Sequence, residues 1–393
     1  MFNQPPNPYN TTTLFRRSSG PGIFDIKLDG YIIFSLLSLM AIGILMVASA
    51  SMPITHNSLG IVLKQSVYVL LSVFAVGAAI FIPLELWSKL TGFWLVCGLV
   101  LLVLVLIPGI GHEVNGSRRW IKIAFVTVQV SELIKLCGIM YVASYLVRHQ
   151  DTYNSFLGII RPLAVLSVMA VLLLLEPDFG ASVVLFASCL GIMFMAKVRI
   201  RWFVMILLPL VAMVCLLVFF SPYRLARLMG FLHPWQHRLD SGYQLTQALL
   251  AFVRGGIFGV GLGDSLQKLF YLPEAHTDFI LSIIAEELGV VGVCGVLGLF
   301  ILFFWRGMYI AKQAMEHSRN FSAYLAYGIV FWIILQMLVN FGVNLGLLPT
   351  KGLTLPFVSY GGSSLLINSF AVGILLKIDL LNKMESLHAK RKY

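Results

Sequence analysis

Runs of about 20 apolar residues recur along almost the whole chain, and they constrain its fold more than any other feature. A transmembrane helix needs about 20 consecutive, mostly apolar residues to cross the hydrocarbon core. The sequence contains ten runs of this kind, at 31–51, 60–82, 91–110, 129–147, 162–176, 180–196, 202–221, 277–304, 321–347 and 358–380. We therefore expect an all-α polytopic membrane protein with about ten transmembrane helices.

The composition excludes an ordinary water-soluble enzyme. Of the 393 residues, 59% are hydrophobic and only 11% are charged, whereas a soluble domain has roughly 25% charged residues. All five cysteines lie within apolar runs, without the spacing of metal ligands or of a disulfide framework, at positions 97, 137, 189, 215 and 294. We interpret them as small packing residues.

The basic residues favour one orientation in the membrane. The chain has 28 Lys and Arg against 17 Asp and Glu, and the basic residues are more frequent in the segments that share a side with the N-terminus. By the positive-inside rule both termini are then cytoplasmic. The excess of basic residues is explained by this orientation and by affinity for anionic lipid head groups, and it does not indicate nucleic-acid binding. The predicted organisation is a cytoplasmic tail (1–30), a ten-helix bundle (31–380) with a long outer loop between helices 7 and 8 (222–276), and a basic cytoplasmic tail (381–393).

Two connections between the runs have unusual sequences. Residues 176–180, Glu-Pro-Asp-Phe-Gly, separate two short runs and predict a tight helical hairpin. In the long loop, residues 243–254 have helical spacing and an apolar face, which predicts a segment that lies on or dips into the outer leaflet. The glycine-rich segment 255–263 follows, and it allows close backbone approach to another surface. A phosphate cradle is disfavoured there because no βαβ unit surrounds the glycines.

Polar side chains within the runs are costly to bury in lipid, so they mark candidate sites. Glu132 and Lys135 are three residues apart and share a helix face. They form either a neutralised pair that fixes helix packing or part of an outward-facing cavity. Gln336, Asn340 and Asn344 form a polar stripe on one face of the ninth run. Such stripes more often join helices than bind ligands.

The densest polar group opens the eighth run. Asp278, Ser282 and Glu286 are spaced by four residues and fall on nearly one helical face, with His276 just before them. A carboxylate at the membrane boundary, beside a histidine and near loop cations, has the properties of a general base. The alternative is an N-terminal aspartate that only complements the helix dipole. Asp178, at the tip of the predicted hairpin, is expected on the same side of the membrane.

Five segments, in chain order, resemble one known family. They are GSRRWI (116–121), SELIKL (131–136), EPDFG (176–180), YQLTQALLAFVRGGIFGVGLGDSLQKLFYLPEAHTDFILSIIAEELG (243–289) and LPTKGLTLPFVSYGGSSLL (348–366). They look like the SEDS proteins (shape, elongation, division and sporulation), which are membrane glycosyltransferases that polymerise peptidoglycan. The last segment, with Lys351 and Thr354, is more similar to the cell-division branch of the family than to the elongation branch. One departure is Val130, where the family commonly has a proline.

The resemblance implies a substrate and a catalytic residue. The substrate is lipid II, a disaccharide-pentapeptide on a polyprenyl pyrophosphate, and Asp278 matches the aspartate that is regarded as catalytic in the family. As a general base it accepts the proton of the acceptor hydroxyl while polyprenyl pyrophosphate leaves. The residues expected to bind the substrate are Arg118, Arg119, Lys122, Glu132, Lys135, Asp178, Arg254, Lys268, His276, Glu286, Lys351 and Ser363.

Several of these residues also have a purely structural interpretation. Arg118 and Arg119 would then anchor a loop to phospholipid head groups, and Lys351 would mark the turn before the tenth run. Glu286 and its neighbour Glu287 would form a structural or regulatory pair. These alternatives stay open at the level of the sequence.

The resemblance further implies partners and a location, and it leaves two other functions open. The expected partners are a class B penicillin-binding transpeptidase, other membrane proteins of the division complex and membrane lipid, with no nucleic acid. The expected location is the bacterial cytoplasmic (inner) membrane, as a multi-pass protein at the division septum. No cofactor motif is visible, although a divalent cation, Mg²⁺ or Mn²⁺, would suit a pyrophosphate substrate. The alternative functions are a lipid II flippase or other transporter, and a non-catalytic division scaffold.

Overall fold

The structure is a computed structural model that describes residues 27–53, 58–114, 117–123, 126–205, 219–220, 222–350 and 352–390. Its helices are α1 (Gly30–Ser51), α2 (Ser58–Phe81), α3 (Leu84–Lys89), α4 (Thr91–Leu106), α5 (Val130–Arg148), α6 (Phe156–Leu175), α7 (Phe179–Met195), α8 (Pro222–Leu232), α9 (Tyr243–Gly255), α10 (Ile280–Glu316), α11 (Asn320–Asn344) and α12 (Gly362–Lys390). Three short strands, β1 (Gly111–Val114), β2 (Ser117–Ile123) and β3 (Val126–Gln129), lie between α4 and α5, and a π-helical turn spans Gln267–Tyr271.

Most of the predicted transmembrane runs correspond to helices. Among the described residues, seven helices are long and apolar enough to cross a membrane, namely α1, α2, α5, α6, α10, α11 and α12. Two shorter apolar helices, α4 and α7, match two further runs. The remaining run, 202–221, lies mostly outside the described residues, so the count of ten transmembrane helices stays a prediction.

The expectation of an all-α chain is incomplete, because residues 111–129 form a small antiparallel sheet in the order β1-β2-β3. His112 pairs with Trp120 across the first two strands, and Trp120 pairs with Gln129 across the last two. The helix α4 ends at Leu106, about one turn earlier than the apolar run does. Searching for long apolar runs does not detect such strands, since they are short and carry charged residues.

Burial separates the inner helices from those that face outward. In α5, 89% of the most apolar window is buried, whereas in α2 the corresponding fraction is 11%. The outward side chains of α2 include Leu63, Leu70 and Phe74, which suits contact with lipid tails. The polar residues of α5 and α11 therefore lie in the centre of the bundle, away from lipid.

The connections between helices alternate between two ends of the bundle. At one end, called here the Asp278 end, the Arg119 guanidinium donates to the carbonyl of Glu176, 3.0 Å away, and the Tyr360 N–H donates to the carbonyl of His276, 2.9 Å away. The hairpin predicted at 176–180 is present here, because α6 and α7 are joined by only three residues.

At the opposite end of the bundle, the predicted C-terminal tail differs from the expectation. The helix α12 continues without a break to Lys390, so residues 381–390 extend the last helix instead of forming a separate tether. Asn382 donates to the carbonyl of Ile310, 3.0 Å away, and Glu385 pairs with Arg319 at 3.2 Å. These contacts explain why the helix persists beyond the apolar run.

Candidate active site

Asp278 lies just before α10, at the point where three segments of the chain meet. Its main-chain carbonyl accepts hydrogen bonds from the Asn340 amide at 2.8 Å and from the Asn344 amide at 3.1 Å. Asn340 also donates to the carbonyl of Leu353 at 2.7 Å. A Cβ atom on Gly352 would lie 3.0 Å from a carboxylate oxygen of Asp278. The glycine therefore allows the loop 352–361 to pass close to the carboxylate.

Asn344 replaces a missing hydrogen bond at the start of α10. In a regular helix the N–H of Ser282 would donate to the carbonyl of Asp278, four residues earlier. Here the Ser282 N–H donates to the carbonyl of Phe279 at 3.0 Å and to the Asn344 side-chain oxygen at 3.2 Å. The Ser282 hydroxyl donates to the same oxygen at 2.7 Å, and the Asn344 amide donates to the Asp278 carbonyl at 3.1 Å. One amide thus bridges the two groups while Asp278 stays outside the helix. The polar stripe of α11 joins segments, as expected for such stripes.

The carboxylate of Asp278 is half-buried and electrostatically perturbed. Burial, together with the negative charges of Glu274 and Asp178, raises its pKa to about 7, and Arg119 opposes the shift. Within the described part of the chain, no hydrogen-bond donor contributes to this pKa. A carboxylate with a pKa near the working pH is suited to accept a proton in a reaction.

Arg119 connects the three-stranded sheet to the hairpin between α6 and α7. Its guanidinium donates to the carbonyls of Glu176 and Pro177 at 3.0 and 2.7 Å. Asp178 caps α7 by accepting from the Ala181 N–H at 3.1 Å. A Cβ atom on Gly180 would lie 2.8 Å from the Leu353 side chain. The hairpin tip therefore packs on the loop that passes Asp278, and Asp178 lies close enough to raise the pKa of Asp278.

Two further groups near the site have unusual surroundings. Both carboxylate oxygens of Glu176 are buried without a hydrogen-bond partner among the described residues. Burial and the nearby Asp178 raise the pKa of Glu176 to about 8, against the effect of Arg119. The His276 ring lies 5.7 Å from the Tyr360 ring, and burial lowers its pKa below the usual value. At neutral pH the imidazole is therefore mostly uncharged.

Two adjacent carboxylates on α10, Glu286 and Glu287, bind the long loop. Glu286 is fully buried and pairs with Arg254 at 2.6 Å. It also accepts from the Ser265 hydroxyl and from the main-chain N–H groups of residues 266 and 267. Glu287 pairs with the buried Lys268 at 2.9 Å and accepts from Ser49 of α1. Two of the cations expected to bind substrate, Arg254 and Lys268, are therefore engaged in ion pairs.

The glycine-rich segment docks its backbone on a break in α10. Gly289 has a φ of +68°, which interrupts the helix. The carbonyls of Glu286 and Glu287 then accept from the N–H groups of residues 260 and 261 at 2.9 and 3.1 Å. The N–H groups of residues 290 and 291 donate to the carbonyls of residues 256 and 257 at 3.0 and 3.2 Å. Four main-chain hydrogen bonds thus join the loop to the two sides of the break, as the close-approach interpretation predicted.

Glu132 and Lys135 form a buried pair in the centre of the bundle. Their charged groups are 2.8 Å apart, and the Lys135 ammonium also donates to Gln336 at 2.7 Å. Gln336 donates in turn to the carbonyl of Thr354 at 3.1 Å. The geometry matches the neutralised-pair interpretation, and it links α5 and α11 to the loop 352–361.

The other predicted binding residues are more scattered. Arg118 is exposed and pairs with Glu113 at 3.0 Å, Lys122 is exposed on β2, and Ser363 is buried at the start of α12. Lys351 lies outside the described residues.

Over the described ranges, no group of three or more His, Cys, Asp or Glu side chains could hold a metal ion.

Sequence reasoning did not identify the contacts that hold Asp278 in place. The Ser359 hydroxyl donates to the carbonyl of Thr277 at 2.6 Å and accepts from the N–H of Leu355 at 2.8 Å. Glu274 lies close enough to raise the pKa of Asp278. The serine belongs to a segment that marked the family, but its spacing in the sequence does not indicate which backbone it contacts.

The long loop lines an open cavity. It measures about 350 Å³ and is lined by Asp240, Ser241, Gln244, Pro273 and Thr350 among others. Pro273 and Thr350 are close in sequence to Asp278 and Gly352. A surface of this size, with several polar side chains, is large enough for part of a small-molecule ligand.

These features define a class of protein, a polytopic membrane protein with a half-buried carboxylate of raised pKa at one end of its helix bundle. The family model for FtsW, RodA and SpoVE, described as "Cell cycle protein", matches residues 30–384. The chain belongs to this family.

Curated relatives and solved structures agree with this assignment. The chain is 49% identical over 355 residues to a protein of Coxiella burnetii, covering 89% of this chain and 95% of the relative. It is 46% identical over 364 residues to a protein of Legionella pneumophila, covering 91% and 92%. Both relatives are named "Probable peptidoglycan glycosyltransferase FtsW".

Two solved structures share the fold. A chain from the structure titled "Structural coordination of polymerization and crosslinking by a peptidoglycan synthase complex" matches with a TM-score of 0.76 and 27% identity, covering 91% of this chain and 99% of that one. The rod shape determining protein RodA of Thermus thermophilus matches with a TM-score of 0.66 and 27% identity, covering 90% and 97%.

Proposed function

We propose that the chain is a membrane peptidoglycan glycosyltransferase that polymerises lipid II into glycan strands during septal cell-wall synthesis. The names of its relatives support the enzyme class. One observation supports the residue that acts: Asp278 is half-buried, lies near Arg119 and Asp178, and has a pKa of about 7. A carboxylate of this kind is a suitable general base at neutral pH.

The reaction is written as a displacement at the anomeric carbon of the donor. The Asp278 carboxylate accepts the proton of the acceptor GlcNAc 4-hydroxyl while that oxygen attacks the anomeric carbon of the donor MurNAc. The bond from this carbon to the pyrophosphate oxygen breaks, and polyprenyl pyrophosphate leaves with the bonding electrons. Attack from the opposite face converts the α-linked donor into a β-linkage.

The leaving pyrophosphate needs positive charge, and the candidate cations differ in availability. Arg119 already reaches the hairpin tip beside Asp278, and guanidinium groups bind phosphate oxygens in a bidentate geometry. Lys122 is exposed on the same strand. Lys268 is buried in its pair with Glu287, so moving it to substrate would leave a buried carboxylate unpaired at high cost. We therefore assign pyrophosphate binding first to Arg119 and Lys122.

Substitution of Asp278 tests the proposal. Asp278→Asn keeps the shape of the side chain but removes its basicity, so lipid II polymerisation should fall by about 10²–10⁴-fold. The matched control is Asp264→Asn, the same change at an exposed position in the same loop, which should leave activity unchanged. The assay is gel analysis of glycan chains made by detergent-purified protein together with its cognate transpeptidase. Substantial polymerisation by Asp278→Asn would reassign the base.

The same assay separates the alternative functions. A flippase has no measurable activity without a bilayer, so polymerisation in detergent supports the enzyme. A scaffold predicts that Asp278→Asn still supports division in cells. The fold match to a chain of a peptidoglycan synthase complex supports our further proposal of a class B penicillin-binding transpeptidase as partner. We also propose that the Asp278 end faces the periplasm, since lipid II is polymerised there.

A further inference from the structure

A row of buried polar side chains lies between α2 and α12, away from Asp278. It consists of Gln65 and Ser72 on α2 and of Ser369 on α12, all fully buried. We call this row the α2–α12 seam. Four of its side-chain atoms have no hydrogen-bond partner among the described residues: Gln65 Oε1 and Nε2, Ser72 Oγ and Ser369 Oγ.

The two helices run in the same direction, and their register brings the seam residues to matching levels. A Cβ atom on Gly362 would lie 2.4 Å from the Tyr68 ring, and one on Gly373 would lie 2.6 Å from the carbonyl oxygen of Val76. Moving four residues back from Val76 and from Gly373 leads to Ser72 and Ser369. These two hydroxyls therefore lie at the same depth, because both helices rise by 1.5 Å per residue.

The seam residues of α2 also share one face. Gln65 and Ser72 are seven residues apart, which is close to two helical turns, and Ala79 continues the same row. All three are buried, whereas the flanking residues Lys64, Leu71 and Phe74 are exposed. The polar groups are therefore directed toward α12, into the seam.

Four unpartnered polar atoms in one seam would be costly. Each buried donor or acceptor without a hydrogen bond costs about 1–3 kcal/mol, so four would cost much of the stability of a typical domain, which is roughly 5–15 kcal/mol. Some ligand must supply the missing hydrogen bonds. Lipid tails have no polar groups and cannot do so. A bound cation does not suit the seam either, because the seam has no carboxylates and the Gln65 Nε2 group is a hydrogen-bond donor.

We propose that the α2–α12 seam binds a row of ordered water molecules within the membrane part of the bundle. Water both donates and accepts, and a buried water commonly makes about three hydrogen bonds to otherwise unsatisfied groups. This inference does not depend on the proposed glycosyltransferase activity. It assigns a role in hydration to Gln65, Ser72 and Ser369, which the proposed reaction does not use.

Thermal stability provides the first test. If water satisfies the seam, Ser72→Ala or Ser369→Ala removes a hydrogen bond and lowers the melting temperature by about 2–4 °C. The matched control is Ser188→Ala, since the Ser188 hydroxyl is equally buried but donates within its own helix, 2.6 Å from the carbonyl of Val184. If the seam is dry, deleting an unpartnered hydroxyl raises the melting temperature relative to this control, and that result would overturn the proposal.

Isotope exchange provides a second test that does not depend on stability. A Ser72→Cys variant places a thiol in the seam, and its S–H band is visible by infrared spectroscopy. In D₂O this thiol should convert to S–D at least about tenfold faster than Cys189, which is fully buried in α7, because exchange requires contact between the thiol and water. An introduced thiol that exchanges as slowly as Cys189 would show that water does not reach the seam.

Discussion

The role of Glu286 can be decided by changing one atom of its side chain. Glu286→Gln keeps the shape of the side chain but replaces one acceptor oxygen by a donor and removes the charge. In the unsubstituted protein the Glu286 carboxylate accepts hydrogen bonds from Arg254, the Ser265 hydroxyl and two main-chain N–H groups. The remaining amide oxygen accepts at most two of these hydrogen bonds. Removing one partner of a buried ion pair costs about 3–5 kcal/mol.

Most of this loss should appear as local opening of the loop 256–271 on α10. At 1.4 kcal/mol per factor of ten, a cost of about 3 kcal/mol increases the open population more than a hundredfold. Hydrogen exchange of the Leu266 and Gln267 amides measures this opening in detergent without substrate. Glu274→Gln is the control, because Glu274 lies in the same part of the chain and its carboxylate is exposed. Unchanged amide protection together with weaker substrate binding would refute the structural role and favour direct substrate contact.

Two further predictions concern Asp278. Because its pKa is about 7 and the reactive form is the carboxylate, kcat/KM should rise with pH through 7. Arg119→Gln removes a positive charge and raises this pKa, whereas Glu274→Gln removes a negative charge and lowers it. The pH–rate profiles of the two variants should therefore shift in opposite directions. Asn344→Ala should lower kcat about 10–100-fold with little change in KM, since Asn344 positions Asp278 without reaching the substrate. The control is Asn382→Ala, at the opposite end of the bundle. A selective rise in KM would contradict the positioning role.

The helical part of the fold was largely predictable because membrane burial leaves a strong sequence signal. The ends of α1 and α5 fall within one residue of their predicted runs. The sheet 111–129 was missed because its strands are short and mixed in polarity. The break at Gly289 was missed for a different reason. The flanking residues are apolar on both sides, so the run looks continuous, and only the partner segment 256–261 makes the break stable.

The candidate site was predictable in its residue types but not in its pairings. The spacing of Asp278, Ser282 and Glu286 suggests one polar face, yet their partners come from distant parts of the chain. Asn344 binds Ser282, and the loop around Ser265 binds Glu286. Lys268 looked like a free cation in sequence, whereas tertiary contacts bury it with Glu287. Such long-range pairings leave no periodic signal in a single sequence.

The broken helix has a mechanical consequence. The carbonyls of Glu286 and Glu287 and the N–H groups of residues 290 and 291 bond to the glycine-rich segment instead of to each other across Gly289. The first turns of α10 and this segment are therefore tied together as one block next to Asp278. Bending of the outward-facing part of α10 would then concentrate at Gly289 and leave this block in place.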